Sequence, residues 1–542
     1  MFNLKYSQNN SLNYHKKASA LFECKKRFVQ RKVSIEHYDE KRVNESVSIL
    51  CKAGINLDDE LSIATHILKL QEDNNEKLLE FAKIYVAWAL YNEEGRKKYK
   101  NGILFKIPKQ LNFDRLIEYS ESNDKTKYFD DKDLRDRKGF DLTDDTINQH
   151  AAIVNANYCL YCHKQNKDSC SKGLPDKITN DVIVNPLGVK LNGCPLKEKI
   201  SEMNLLKKEG FIIGAFATAI IDNPMIAATG HRICNDCMKS CIYQKQEPVD
   251  IPLIETKILD DVLRLDYGFE IYSLLTKWNP LKSEGYLPKE FNNYKVLVVG
   301  MGPAGFTLSH YLINEGFTVV GIDGLKIEPI QSELSGVTQE GNRVNFKPIK
   351  NISDIEEKLS ERKAYGFGGV AEYGITVRWN KNYLTILRLM LERRENFRMY
   401  GSIRFGGTIN YQSAKKLGFN HVALAIGAGK PNIPDIPNIL CKGVRSASDF
   451  LMSLQTLGAS RKSSLANLQI RLPIVVIGGG LTSIDTATES LAYYPIMVEK
   501  FLAQYEILGN SFLKTLDDEE LEVALEFIEH AKEGVEQWIQ WL

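Results

Sequence analysis

The sequence predicts an α/β protein with a large α-helical N-terminal part. Three observations predict it. Two short β-branched runs each lead through a glycine-rich turn into a helix, near residues 295–314 and 472–484. A further apolar strand, His421 to Ile426, lies between them. The chain ahead of residue 285 shows helical patterning and holds nine of the ten cysteines.

Taken in order, residues 1 to 150 read as mainly helical. Glu76 to Tyr91 is apolar around much of its surface and is expected to be buried, whereas Glu118 to Asp145 is rich in Asp and Lys and reads as solvated. Residues 151–285 carry helices between cysteines, one of them expected over Leu206 to Ala219, ahead of Asn223-Pro224. At Lys295 the pattern changes. Lys295 to Val299 is a β-branched run bounded by glycine, as in a buried parallel strand. Gly300-Met301-Gly302-Pro303-Ala304-Gly305 follows, then a helix from Phe306 to Asn314, a strand from Phe317 to Ile322, and Asp323.

Each part of that unit has a physical reason. The first glycine makes the turn, the second lets backbone approach a pyrophosphate, and the third lets helix and strand pack. The helix N-terminus faces the phosphates, and the acid can accept hydrogen bonds from an adenosine ribose. Strand, turn, helix, strand and acid in register together point to dinucleotide binding. The second unit runs from Leu472 to Ile477 into Gly478-Gly479-Gly480-Leu481-Thr482-Ser483 and a helix from Ile484. Ser483 replaces its third glycine and is small enough to keep close packing. The expected division is 1–150 helical, 151–285 cysteine-bearing and helical, 286–460 a first nucleotide fold, and 461–542 a partial second fold with a helical tail.

Composition removes several classes. The chain has 542 residues, enough for three or four domains. Its 43% hydrophobic and 26% charged content excludes wholesale disorder. Seventy basic against 69 acidic residues give no long-range field, so neither nucleic acid nor a membrane surface is an expected partner. The longest apolar run, Phe211 to Ile221, is too short to span a bilayer, and Met1 to Lys5 does not open a signal peptide. The expected location is the cytoplasm.

Cysteine placement is the strongest clue to chemistry. Seven of ten fall between 159 and 241: Cys159, Cys162, Cys170, Cys194, Cys234, Cys237 and Cys241. In a chain without a secretion signal, that clustering favours metal ligation over disulfides. Zinc asks for four ligands per site, and seven thiols fit it poorly. Cys194-Pro195 and the two C-x2-C pairs suit iron–sulfur ligation better, although spacing alone does not fix the cluster type. Cys24, Cys51 and Cys441 are expected to be buried thiols, and His163 and His231 structural.

The order C-x2-C, Cys-Pro, C-x2-C-x3-C and then a dinucleotide fold resembles the small subunit of glutamate synthase and the N-terminal half of dihydropyrimidine dehydrogenase. Gly368 to Ile375 is similar to the family's flavin-contacting segment, Ala425 to Pro431 to its strand end near the flavin, and Gly478 to Asp485 to its nicotinamide turn. The resemblance covers about 150–495. It implies a helical, ferredoxin-like domain with two 4Fe–4S clusters, an FAD-binding Rossmann-like domain and a partial NAD(P)-binding fold. By order, Cys159, Cys162, Cys170 and Cys241 hold one cluster; Cys194, Cys234 and Cys237 hold three corners of the other, with Glu255 at the eighth ligand position. FAD contacts fall to Gly300, Met301, Gly302, Pro303, Ala304, Gly305, Asp323, Gly369, Val370, Arg378 and Gly427, and NADPH or NADH contacts to Gly478, Gly480, Leu481, Thr482 and Ser483.

The implied activity is electron transfer from a nicotinamide nucleotide through FAD to the clusters, with a large acceptor subunit or C-terminal partner chain. No catalytic side chain is expected beyond those holding the cofactors. This sequence departs from the family in its x7 and x23 insertions, in Thr376 where relatives have Pro, and in Leu481 where they have Asp. After Pro495 it reads as helix, and no later β-run appears. The chain is therefore expected to be cut short, and a non-catalytic electron-transfer or docking module is the second expectation.

Overall fold

The structure, a computed structural model, describes residues 9–99, 102–117, 119–128, 137–143, 149–229, 233–282, 287–363, 369–374, 379–428 and 431–534, with side chains from 17 onward. The chain divides into two compact units. The first comprises residues 1–118, 147–224 and 234–261, the second 119–146, 225–233 and 262–542.

The first unit is helical. Helices α1 (Asn9–Cys24), α2 (Glu40–Lys52), α3 (Glu60–Glu72) and α4 (Glu76–Tyr91) surround a core that includes Phe28, Leu50, Ile63, Tyr85 and Val86. Their starts are set by side chains that take up free backbone N–H groups: Asp39 accepts from Lys41, Asp59 from Leu61 and Asn75 from Leu78. The loop after α4 is tied down by two charges, the half-buried Glu60 and the buried Lys25. Glu60 accepts from the backbone N–H groups of Ile103 and Leu104, and Lys25 donates to the carbonyls of Ile103 and Lys106.

The cysteine-bearing part of this unit holds α5 (Gln149–Tyr158), α6 (Ile200–Lys208), α7 (Ile212–Asp222) and the start of α8 (Ile251–Leu263). The single helix expected over Leu206 to Ala219 is two helices. Gly210, at φ +81°, ends the first, and Phe211 begins the second. Glu209-Gly210 carried that stop signal in the sequence.

In the second unit, β1 (Ser120–Glu121) and β2 (Lys127–Tyr128) form a small exposed hairpin. The main sheet is parallel, in the order β5-β4-β3-β6, made of β3 (Lys295–Val299), β4 (Thr318–Ile322), β5 (Phe397–Tyr400) and β6 (His421–Leu424). Leu297 pairs with Val320 on one side and Val422 on the other. The crossover from β3 to β4 is α10 (Pro303–Asn314), which follows α9 (Gly268–Lys277) in the chain and packs on α11 (Asn382–Glu392). This is the Rossmann-like α/β arrangement.

The C-terminal part is a second, helical core. Helices α12 (Ala447–Thr456), α13 (Leu481–Leu508) and α14 (Asp518–Glu533) bury Phe450, Leu454, Tyr493, Met497 and Phe527 together. The strand expected at Leu472 to Ile477 is absent. These residues belong to no sheet, and Val475 and Ile477 are 82% and 76% exposed. β-branched residues favour extended backbone, but a strand needs a neighbour to take its hydrogen bonds. The helix expected from Ile484 starts earlier, at Leu481, and continues through Pro495.

Candidate functional site

In the first unit the seven clustered cysteines fall into two groups. Cys159, Cys162, Cys170 and Cys241 lie within electrostatic reach of one another, with the Cys170 thiol donating to Cys241. That bond, with N–H groups of Tyr243 and Val249, pulls the Cys241 thiol down to about 7, while burial pushes Cys162 up to about 11. Tyr161 N–H donates to Cys159 Sγ at 3.4 Å. The second group is Cys194, Cys234, Cys237 and Glu255. Burial, then the Glu255 charge, raises the Cys237 thiol well above its ordinary value, and Cys194 is pushed to about 11. Glu255 is buried rather than a surface carboxylate. Cys194 N–H donates to the Cys170 carbonyl at 2.8 Å, which joins the two groups through backbone.

Among the described residues, no three His, Cys, Asp or Glu side chains converge to hold a single metal ion. A polynuclear cluster asks for thiolates spaced around a core rather than packed on one ion. Buried, neutral thiols that receive backbone N–H bonds become thiolates once a metal is bound. His163 does not join either group; its Nδ1 lies 2.7 Å from Ser201 Oγ. His231 is outside the described residues. Cys24 is buried as expected, but Cys51 and Cys441 are exposed, since each sits on the outer side of its segment.

The first glycine turn sits between β3 and α10 in the second unit. Gly300 has φ +94°, and a Cβ there would run into the Ala425 carbonyl; one at Gly305 would run into the Gly300 carbonyl. Gly302 caps α10, Pro303 opens it and Ala304 follows, so the turn presents a helix N-terminus with no side chain over it. Met301 is fully buried beside Gly321. Asp323 stands at the end of β4. It accepts from the backbone N–H groups of Met301, at 2.8 Å, and Leu325, at 2.9 Å. A carboxylate offers about four acceptor positions, so two bonds leave room for a ribose hydroxyl. Gly369, at φ +50°, faces Gly302 with 3.1 Å available for a Cβ, and the exposed Val370 begins a short turn of helix whose Ala371 and Glu372 are buried. Gly427, at φ +63°, is open to solvent. Arg378 lies outside the described residues.

The second glycine turn is exposed. Gly478, Gly480, Leu481, Thr482 and Ser483 lead into α13, with Ser483 Oγ donating back to the Gly480 carbonyl at 2.7 Å. Nothing in the sequence pointed to the buried charges near it. Arg362 pairs with Glu372 through two bonds of 2.5 and 3.2 Å, Lys381 donates to the Glu372 carbonyl, and Arg137 reaches Glu489 at 3.3 Å. Burial pushes the Lys381 amine down to about 8, against the opposing pull of Glu372, Glu489 and Asp485. These residues fix the short helix that carries Val370 and the start of α13.

Sheet and turn together define a Rossmann-like α/β protein. Residues 294–514 match the family described as pyridine nucleotide-disulphide oxidoreductase. An uncharacterized protein of Rickettsia prowazekii (strain Madrid E) is 55% identical over 57% of this chain and 41% of its own length. A second uncharacterized protein of that organism is 32% identical over 36% of this chain and 71% of its own length, and the chain belongs to one family with it. The glutamate synthase [NADPH] small chain of Mycobacterium tuberculosis is 26% identical over 35% of this chain and 38% of its own. The chain thus spans less than half the length of the first of these relatives.

Proposed function

We propose that the chain is an FAD- and iron–sulfur-dependent NAD(P)H oxidoreductase of the glutamate synthase small-chain kind. The observation that carries this reading is the division of the seven clustered cysteines into a group of four and a group of three beside Glu255, each with a different backbone setting, ahead of a glycine turn built for pyrophosphate. In this reading 151–285 is the cluster region, 286–460 the flavin domain and 461–542 a partial nicotinamide fold. Cys159, Cys162, Cys170 and Cys241 hold one 4Fe–4S cluster, and Cys194, Cys234, Cys237 and Glu255 the other. When bound, the flavin and clusters supply the electron transfer from a nicotinamide nucleotide. The chain's own part is to position them. Gly300, Gly302 and Gly305 let backbone approach the pyrophosphate, Asp323 holds the ribose, and N–H groups to the sulfurs set the electronic environment of each group. Arg378 and the turn from Gly478 to Ser483 complete the proposed contacts. The protein works in the cytoplasm and passes electrons to a larger subunit.

The second reading is an electron-transfer or docking module without nucleotide turnover. It is favoured by the unpaired, exposed backbone ahead of Gly478. Anaerobic purification with iron, sulfide and flavin counts tests the first reading. About eight iron, eight sulfide and one flavin are expected. Flavin bleaching by NADPH follows in that reading; clusters and flavin without bleaching support the module. Zinc in place of iron overturns both.

A further inference from the structure

A cavity of about 1150 Å³ opens in the first unit, away from both glycine turns. Its walls include two stretches with no part in the proposed electron transfer, beside residues around Cys162. One is the N-terminal helix and the turn after it, which give Phe22, Lys26, Arg27 and Arg31. The other is the loop inserted between Cys170 and Cys194, which gives Lys172 and Lys177. That loop is ordered: Pro175 bridges to Val182 and Val184 to Lys190, and Gly173 and Gly193 pack backbone to backbone.

The cavity is strongly basic. Seven Lys and Arg residues line it against two carboxylates, Glu23 and Asp168, in a chain whose net charge is only +1. Glu23 is already paired with Arg27 at 3.0 Å. Arg31, Lys167, Lys172 and Lys177 are exposed at the cavity and have no ion-pair partner among the described residues. Lys26 donates to the carbonyls of Asn157 and Cys159 and stands 5.3 Å over the Tyr161 ring, so its charge is fixed in the wall. Only Cys162 of its group lines the cavity, so the space is not the interior of the thiol group.

We propose that this cavity binds a phosphorylated small molecule. Phosphate oxygens match the basic rim, through bidentate bonds to arginine and point charges on lysine. A partly open recess of this size suits a small molecule better than a flat protein-docking face does. The inference does not depend on which cofactors the thiols hold.

Calorimetric titration of the full chain at low salt tests it, with fructose 1,6-bisphosphate and inorganic phosphate as probes. The sugar bisphosphate is expected to bind saturably and more tightly than phosphate. The double variant R31E/K172E changes two exposed residues and should weaken that binding at least about tenfold. Circular dichroism of the variant checks that it folds. No saturable binding below about 10 mM overturns the proposal, as does binding that survives the charge reversal. Binding of an acidic peptide in place of either probe overturns it in favour of a protein partner.

Discussion

At the scale of single residues, function rests on which thiols are grouped, and one buried imidazole sets acid sensitivity. Cys170 and Cys237 are buried, each in a different group, whereas Cys51 is exposed on α2. Cys170→Ser and Cys237→Ser should each lower bound iron by about half, and Cys51→Ser should leave it unchanged; colorimetric iron per chain is the measurement. His310 lies inside α10 with Nε2 3.2 Å from the Asn314 amide. Burial, then Arg394, Lys277 and Lys282, pulls its pKa down to about 3. The unfolded histidine titrates near 6.5, so between those values the unfolded chain binds the extra proton. Stability from this group therefore falls as pH drops below about 6.5, by about 2 kcal/mol at pH 5. Urea midpoints at pH 7 and 5 should converge in His310→Gln. Such residue-level features were unevenly legible. The order of the cysteines could be read, but Lys381 and Arg362 could not, because their partner Glu372 becomes a neighbour only through folding.

Among the elements, the unit from β3 through α10 to β4 was the most legible, because its signals are local: an apolar run, glycines at fixed offsets and an acid. Steric contacts explain those glycines. A Cβ at Gly305 meets the Gly300 carbonyl, backbone that cannot move without opening the turn. Gly305→Ala should cost about 1–3 kcal/mol and abolish flavin retention, read by thermal melting and the visible spectrum. Gly479 has nothing within 4 Å of a Cβ. Gly479→Ala should change stability by less than about 0.5 kcal/mol. The two substitutions separate a turn closed by packing from one that is open. Equal losses would mean that the second turn is packed in solution as the first is. The break at Gly210 was also readable, since a glycine after a charged helical end stops a helix.

For the whole molecule, the sequence suggested two nucleotide folds, and the described residues form one parallel sheet. The reason is that a strand is not a local property. Ile474 to Ile477 has the composition of a buried strand, as Val296 to Val299 does, but only the latter has neighbours, β4 and β6. Without pairing, the first run stays extended and solvated, and β6 remains a sheet edge. Hydrogen exchange distinguishes the two directly, because amides in a buried ladder open only with large-scale unfolding, whereas solvated amides exchange without it. The amides of Val475, Val476 and Ile477 should exchange at nearly the rate of an unstructured peptide, and those of Leu297 and Val298 many orders more slowly. Protection of the 475–477 amides in the chain alone would mean that they pair with a strand in solution, and the nicotinamide fold would then have a sheet to stand on. Protection that appears only when a second chain is added would show a strand supplied from outside, with affinity carried by main-chain bonds and side chains selecting the register.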